Sequence, residues 1–305
     1  MHGSDLLWRK FVNAGAFYEA DVLVMGGDIT GKAVVPIVRS DGGFRAPGVI
    51  GERLADKDEL PQIERLVRDR GFYPYVTDED ELAAVREREG GVDELFRRAM
   101  RASLERWMAL AEERLASTRV RLYVMLGNDD EPHLREVLKA SPLHVDCEDV
   151  AAELPEQLQM LSCGHANPTP WNSPRELPED ELDTHLEELA EGLGDPSKAV
   201  FNLHVPPIGT AIDQAPELDA SLKPVVRGGS VAMTSAGSTA VRKLIERYQP
   251  PVALHGHIHE SRGSVRIGRT VCINPGSEYG EGILHGALVV LDRKKGLRNH
   301  QLVSG

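Results

Sequence analysis

The chain has 305 residues, 41% of them hydrophobic, enough for one large α/β domain with insertions or for two smaller domains. Lys and Arg number 35 against 48 Asp and Glu, a net charge of −13 that disfavours a nucleic-acid polymer but not a small phosphorylated substrate held through dications. Cys147, Cys163 and Cys272 are scattered without Cys-x-x-Cys spacing, and there is neither a signal peptide nor an apolar run of about eighteen residues; a disulfide framework, a thiolate zinc site and a membrane span are not expected, and a reducing, cytoplasmic setting is.

Residues 5–14 read as a short amphipathic helix, followed by a buried strand, Val22-Leu23-Val24-Met25, and the turn Gly26-Gly27-Asp28. About a hundred residues separate Asp28 from Gly127, more than a crossover needs, so an insertion over approximately 33–118 is expected. It reads as a β-hairpin near 33–50, a helix near 59–70 and a long helix over about 92–117. In that long helix Leu95, Phe96, Met100, Leu104, Trp107, Met108, Ala111 and Leu115 recur at helical spacing; the stripe is expected to pack on the domain core, with a lid or a dimer contact as the alternative.

Strands are expected at 121–126 and 157–163, then a turn-rich loop over 164–174 and a polar helix over about 174–193. A strand at 199–203 follows, then a helix over 238–249 stopped by Pro250-Pro251, a strand at 252–254, and a β-rich tail with strands at 264–267, 270–274 and 287–292. Neither an internal repeat nor an interdomain linker is visible, so 1–305 is read as a single domain.

Five runs each end an expected strand and carry metal-ligand side chains: Met1-His2-Gly3-Ser4, Gly27-Asp28, Gly127-Asn128-Asp129-Asp130, His204 in Asn202-Leu203-His204-Val205-Pro206-Pro207, and Gly256-His257-Ile258-His259. Phosphoester hydrolysis needs a hydroxide at neutral pH and cover for phosphoryl charge. Two metals about 3.5–4 Å apart supply both when one carboxylate bridges them. Mixed carboxylate, amide and imidazole donors suit Mn, Fe, Zn, Ni or Co better than Ca or Mg.

In this order and spacing, from residue 2 to residue 259, the motifs resemble those of the calcineurin-like metallophosphoesterase superfamily. The resemblance implies an α/β fold, a four-layer αββα sandwich of two mixed sheets flanked by helices, with a helical insertion over or beside the site. It implies Asp28 as the bridging carboxylate, Asn128, His204 and His257 on one metal, and His259 on the other. His2 would act beside the site as a ligand or a close hydrogen-bonding partner. The usual first motif is Asp-x-His-Gly; Met1 stands at x, so the sequence reads as beginning inside that motif, with the Asp ligand of the first metal expected just before it.

The third motif departs from the family's Gly-Asn-His-Asp or Gly-Asn-His-Glu by placing Asp129 where the leaving-group acid stands. A carboxylate does not replace an imidazolium there, and family members that lack this His often prefer phosphodiesters, so the resemblance implies a phosphodiester over a monoester. The expected activity is that of a dinuclear phosphodiesterase, with two divalent transition metals (Mn foremost), on a small or nucleotide-like substrate; the rivals are a nuclease and an inactive scaffold that keeps the fold. Homo-oligomerisation stays open.

Lys32 is a candidate substrate cation, against a solvated loop charge; Thr169, Trp171 and Arg175 are candidate substrate-wall residues, against ordinary loop packing. His133, His144, His165, His185 and His285 are read as ordinary histidines, and His255 as pointing to the face of its strand opposite the Gly-His-x-His pair.

Overall fold

The computed structural model describes residues 1–46, 51 and 53–305, so residues 47–50 of the hairpin expected near 33–50 lie outside the described residues. The first half runs α1 (Asp5–Phe17), β1 (Val22–Gly26), β2 (Val34–Ser40), β3 (Gly43–Ala46), β4 (Arg53–Ala55), α2 (Leu60–Asp69), β5 (Tyr73–Thr77), α3 (Glu79–Glu87), α4 (Gly91–Leu115), β6 (Arg121–Met125) and α5 (Arg135–Ala140). The second runs β7 (Ala151–Glu153), β8 (Gln159–Cys163), α6 (Glu179–Glu191), β9 (Val200–Leu203), β10 (Gln214–Pro216), β11 (Val226–Arg227), β12 (Ser230–Val231), β13 (Met233–Ser235), α7 (Thr239–Tyr248), β14 (Val252–Leu254), β15 (Gly263–Ile267), β16 (Thr270–Asn274), β17 (His285–Asp292) and β18 (Gly296–Ser304).

The principal sheet has the order β15-β16-β14-β9-β8-β7. Its inner neighbours β8, β9, β14 and β16 run parallel, and β15 and β7 close the two edges antiparallel. A second layer is built from the parallel pair β1–β6 and the hairpin β17–β18. Alternation along the strands explains the layering. In β6, Tyr123 and Met125 face the space between the layers, where they meet Val200, Val252, Val271, Ile273 and the β17–β18 residues Val289 and Leu297. Leu122 and Val124 face the other way, into a core with Trp8, Leu104, Trp107 and Leu138 from α1, α4 and α5. Beyond the principal sheet, Phe201, Leu203, Ala253 and Cys272 pack on Leu182, Leu186, Val241 and Leu244 of α6 and α7. Helices, sheet, sheet, helices: the chain is an α/β sandwich with both sheet layers covered.

Local chemistry agrees with these boundaries. Ser4 caps α1 by accepting from the Leu7 amide, and Ser238 caps α7 through Val241. The polar helix α6 starts at Glu179, later than expected, because Pro174 and Pro178 hold their predecessors extended. The stripe on α4 packs on the main core, where Trp107 stacks on Trp8 at 5.0 Å and Trp107 Nε1 donates to Asp5.

The insertion carries, besides its helices, a four-stranded sheet of order β4-β3-β2-β5 over a small core of Ile37, Phe44, Ala55 and Ile63. Sequence reading passed over β5, α3, β10 to β13 and β18: these are short or half-exposed segments with little apolar periodicity. Among the described residues no helix is long and apolar enough to cross a membrane.

Candidate metal centre

The five motif runs converge, four of them just beyond the carboxyl ends of strands, where an open α/β sheet binds ligands; the first, expected to end a strand, instead leads directly into α1. Asp28 follows β1, Asn128 follows β6, His204 follows β9, and His257 and His259 follow β14. The backbone is strained where the ligands sit. His2, Asp28 and His257 have φ of 48°, 51° and 61°, left-handed values that L-residues hold only where surrounding structure fixes them. Close approach is built in: a Cβ on Gly127 would stand 2.3 Å from the Asp28 carboxylate and 2.9 Å from the His204 ring.

Asp28 lies at the centre. Its Oδ1 is 3.3 Å from His204 Nε2, and its Oδ2 is 3.7 Å from His2 Nε2. One oxygen thus faces each of two donor groups, His2–Asp28–His259 and Asp28–His204–His257, and within each group one donor atom per residue lies within 4.8 Å of the others. His2 Nε2 and His259 Nε2 are 2.9 Å apart. Asn128 Oδ1 lies 3.0 Å from His204 Nε2 and 2.8 Å from His257 Nδ1.

This donor set fits cations better than it fits itself. His204 Nδ1 is 2.7 Å from the Gly26 carbonyl, to which it donates, so in the neutral ring Nε2 carries a lone pair. That lone pair points at oxygens of Asp28 and Asn128, which are also acceptors. Either a proton or a cation must sit among them. Burial works against a charged His204, but the Asp28 carboxylate and the Gly26 carbonyl outweigh it and raise its basicity. Burial likewise opposes the Asp28 charge, yet His204, His2 and His257 together hold its carboxyl well below the usual range. Positive charge is wanted here. Burial pushes the other three imidazoles down, His257 to about 4, so they offer lone pairs at neutral pH.

Asp129 turns away from the donor pairs: its carboxylate meets Lys32 Nζ at 2.9 Å and accepts from Ser173 Oγ at 2.8 Å, while its amide donates to Asp28. Burial alone would lower Lys32, but Asp129 raises it, so the ammonium is fixed beside the site. Thr169 is tied to Glu176, and Trp171 stands 64% exposed on the loop. Arg175, expected on a substrate wall, is turned inward: it pairs with buried Glu148 and donates to the Gly127 carbonyl, because the loop returns there to meet Asn128.

Three contributors were not foreseen. Buried Asp130 accepts from the amides of Ile29, Thr30 and Gly127 and joins the two central loops. Glu148 binds Arg175, and the Tyr279 ring lies 4.6 Å from that of His2. Their partners are remote in sequence, and only Asp130, within a motif, carried any signal.

His255 stays outside the donor set, but not by strand alternation, which would put it on the same side as His257. The left-handed turn at His257 breaks the alternation, and His255 Nδ1 donates to the carbonyls of Leu203 and Val205. Burial pushes it down to about 4, so as pH falls from about 6.5 the unfolded chain takes up this proton first and native stability is lost towards pH 4. In His255→Asn, whose amide still reaches both carbonyls, the decline should be shallower by up to about 1.4 kcal/mol per pH unit in that window. Urea unfolding of the metal-stripped proteins across the window reads the difference; identical slopes would refute it.

No family model matches the chain. It is 30% identical over 152 residues to the uncharacterized protein MJ1162 of Methanocaldococcus jannaschii, a match covering 49% of this chain and 61% of that protein, so it spans less than two thirds of this relative's length. One solved crystal structure, 20% identical, matches with a TM-score of 0.56 over 97% of this chain and 93% of its own, a likeness of fold. The crystal structure of TT1561 of Thermus thermophilus matches at 16% identity and a TM-score of 0.41, over 67% of this chain and 79% of its own.

Proposed function

We propose that this protein is a calcineurin-like, metal-dependent phosphoester hydrolase that acts on a small or nucleotide-like phosphodiester. The observation that carries the reading is Asp28, one carboxylate oxygen directed to each of two histidine groups. His2 and His259 would hold one divalent transition metal with Asp28; Asn128, His204 and His257 would hold the other. The pair, Mn foremost among Mn, Fe, Zn, Ni and Co, supplies an ionised water and neutralises phosphoryl oxygens when bound.

The remaining work falls to this chain's side chains. The Gly26 carbonyl fixes the His204 tautomer that presents Nε2. Lys32 offers an ammonium to an anionic substrate, with Asp129 and Ser173 fixing its place. Asp129, a carboxylate paired with Lys32 where the family has an imidazole, would favour the monoanion of a diester over the dianion of a monoester. The three free, buried cysteines suit a reducing cytosol.

The test compares bis-p-nitrophenyl phosphate with p-nitrophenyl phosphate, after chelation and after Mn is restored. Expected are loss of turnover on chelation, recovery with Mn, and a diester rate above the monoester rate; both esters release p-nitrophenolate, so the comparison reads the charge on the phosphoryl group rather than leaving-group protonation. Bound metal without turnover of either ester would leave the inactive scaffold as the better reading.

A further inference from the structure

A second set of metal-ligating side chains lies outside the Asp28 centre. Asp149, in the loop before β7, Cys163 at the end of β8, His165 two residues on, and His185 on α6 bring one donor atom each within 4.8 Å of one another. His185 Nε2 is 3.0 Å from Asp149 Oδ1, and Cys163 Sγ is 3.9 Å from His165 Nδ1. The two imidazole rings meet edge to face at 5.4 Å.

We propose that Asp149, Cys163, His165 and His185 form a structural site for a thiophilic dication, Zn(II) by preference, distinct from the Asp28-centred pair. The inference does not rest on the phosphoesterase reading. One thiolate, two imidazoles and one carboxylate make a four-donor set that suits tetrahedral zinc and is too soft for Mn or Mg. Zinc with bonds of about 2.0–2.3 Å brings its donors roughly 3.3–3.8 Å apart, so the widest separation has to close by about 1 Å, within reach of side-chain rotation. Thiolate and carboxylate together balance the dication, and the displaced thiol proton passes to solvent.

The surroundings fit as well. Arg135 Nη1, 3.7 Å from Asp149 Oδ2, orients the carboxylate and leaves Oδ1 towards His185. A surface depression of about 340 Å³, lined by His185, Asp180, Glu181, Thr184 and Glu188, gives a cation an acidic approach. A bound ion would tie α6 to the end of β8 and to the base of the loop whose Arg175 amide donates to the Asn128 carbonyl. No Cys-x-x-Cys spacing announces such a site, since its donors come from separate loops and a helix.

Cobalt tests it, because a thiolate-to-Co(II) charge-transfer band in the near ultraviolet arises only where sulfur ligates, and the Asp28 centre holds no cysteine. Titration of the full chain with Co(II) should give this band with the final amplitude of one sulfur-ligated Co(II) per chain, and zinc should abolish it by displacement. The band should persist in Asp28→Ala, which empties the other centre, and disappear in Cys163→Ser and in His185→Gln, each with wild-type circular dichroism. His185 is partly exposed on its helix, so His185→Gln keeps the test open should Cys163→Ser not fold. Absence of the band in the wild type, or its survival in either substitution, overturns the proposal.

Discussion

Replacing Asp28 with Ala is expected to lower kcat/KM for a diester on the order of 10³-fold or more, about 4 kcal/mol of transition-state stabilisation. The reason is positional. Each carboxylate oxygen addresses a different histidine group, so one substitution removes a donor from both. Bound Mn should fall from two per chain towards none. Asp28→Asn separates charge from shape, because Asn tolerates the left-handed backbone at φ 51° and keeps one oxygen. It should retain some metal and a small residual rate. A second readout is independent of turnover: without the Asp28 carboxylate, only the Gly26 carbonyl and Asp130 oppose burial at His204, and its raised basicity should drop. An NMR titration of the metal-free histidines shows this directly. Wild-type turnover in Asp28→Ala would end the dinuclear reading.

The candidate donors could be picked out because most of them sit just after apolar strands, in motifs that resemble those of the metallophosphoesterase superfamily. The strand 252–254 is short but wholly apolar, and Gly256-His257-Ile258-His259 follows it after His255. Asn128 was legible for the same reason, after the buried strand β6. What escaped depended on the tertiary path. Arg175 reads from its turn-rich loop as either a substrate-wall residue or ordinary loop packing; its inward turn follows from Glu148, which lies buried beside the end of β6. Tyr279 reaches His2 across nearly the whole chain. His165 and His185 read as ordinary histidines in the sequence, since a lone His is more often that than a ligand; the packing of α6 against β8 brings them beside Cys163. The layer order came from the family resemblance; helix, apolar strand and turn in succession pointed by themselves only to an α/β layer architecture. The insertion's sheet was half visible, its hairpin suggested by turn residues and β5 hidden between two helices.

The Arg175–Glu148 pair should prove the costliest polar contact to break. Both side chains are buried, at 6% and 3% exposure, and Glu148 also accepts from the Leu126 amide at the end of β6. In Arg175→Leu the carboxylate is left without its counter-charge, and the Gly127 carbonyl keeps only the Asp130 amide as donor. A loss of about 3–5 kcal/mol in unfolding free energy is expected, the usual cost of removing one member of a buried pair. The double substitution Arg175→Leu, Glu148→Leu removes both charges and should recover a large part of it, since the residual penalty in the single variant is an unpaired buried ion. Chemical denaturation of the two single variants and the double completes the cycle. Function should follow structure: Gly127 and Asn128 are positioned by this pair, so Arg175→Leu should lower kcat by about 10–100-fold, as loss of support around metal ligands commonly does. A guanidinium that touched substrate would give the opposite pattern, a raised KM at nearly unchanged stability. Finding that pattern would return Arg175 to the substrate wall and remove the account of how Asn128 is held.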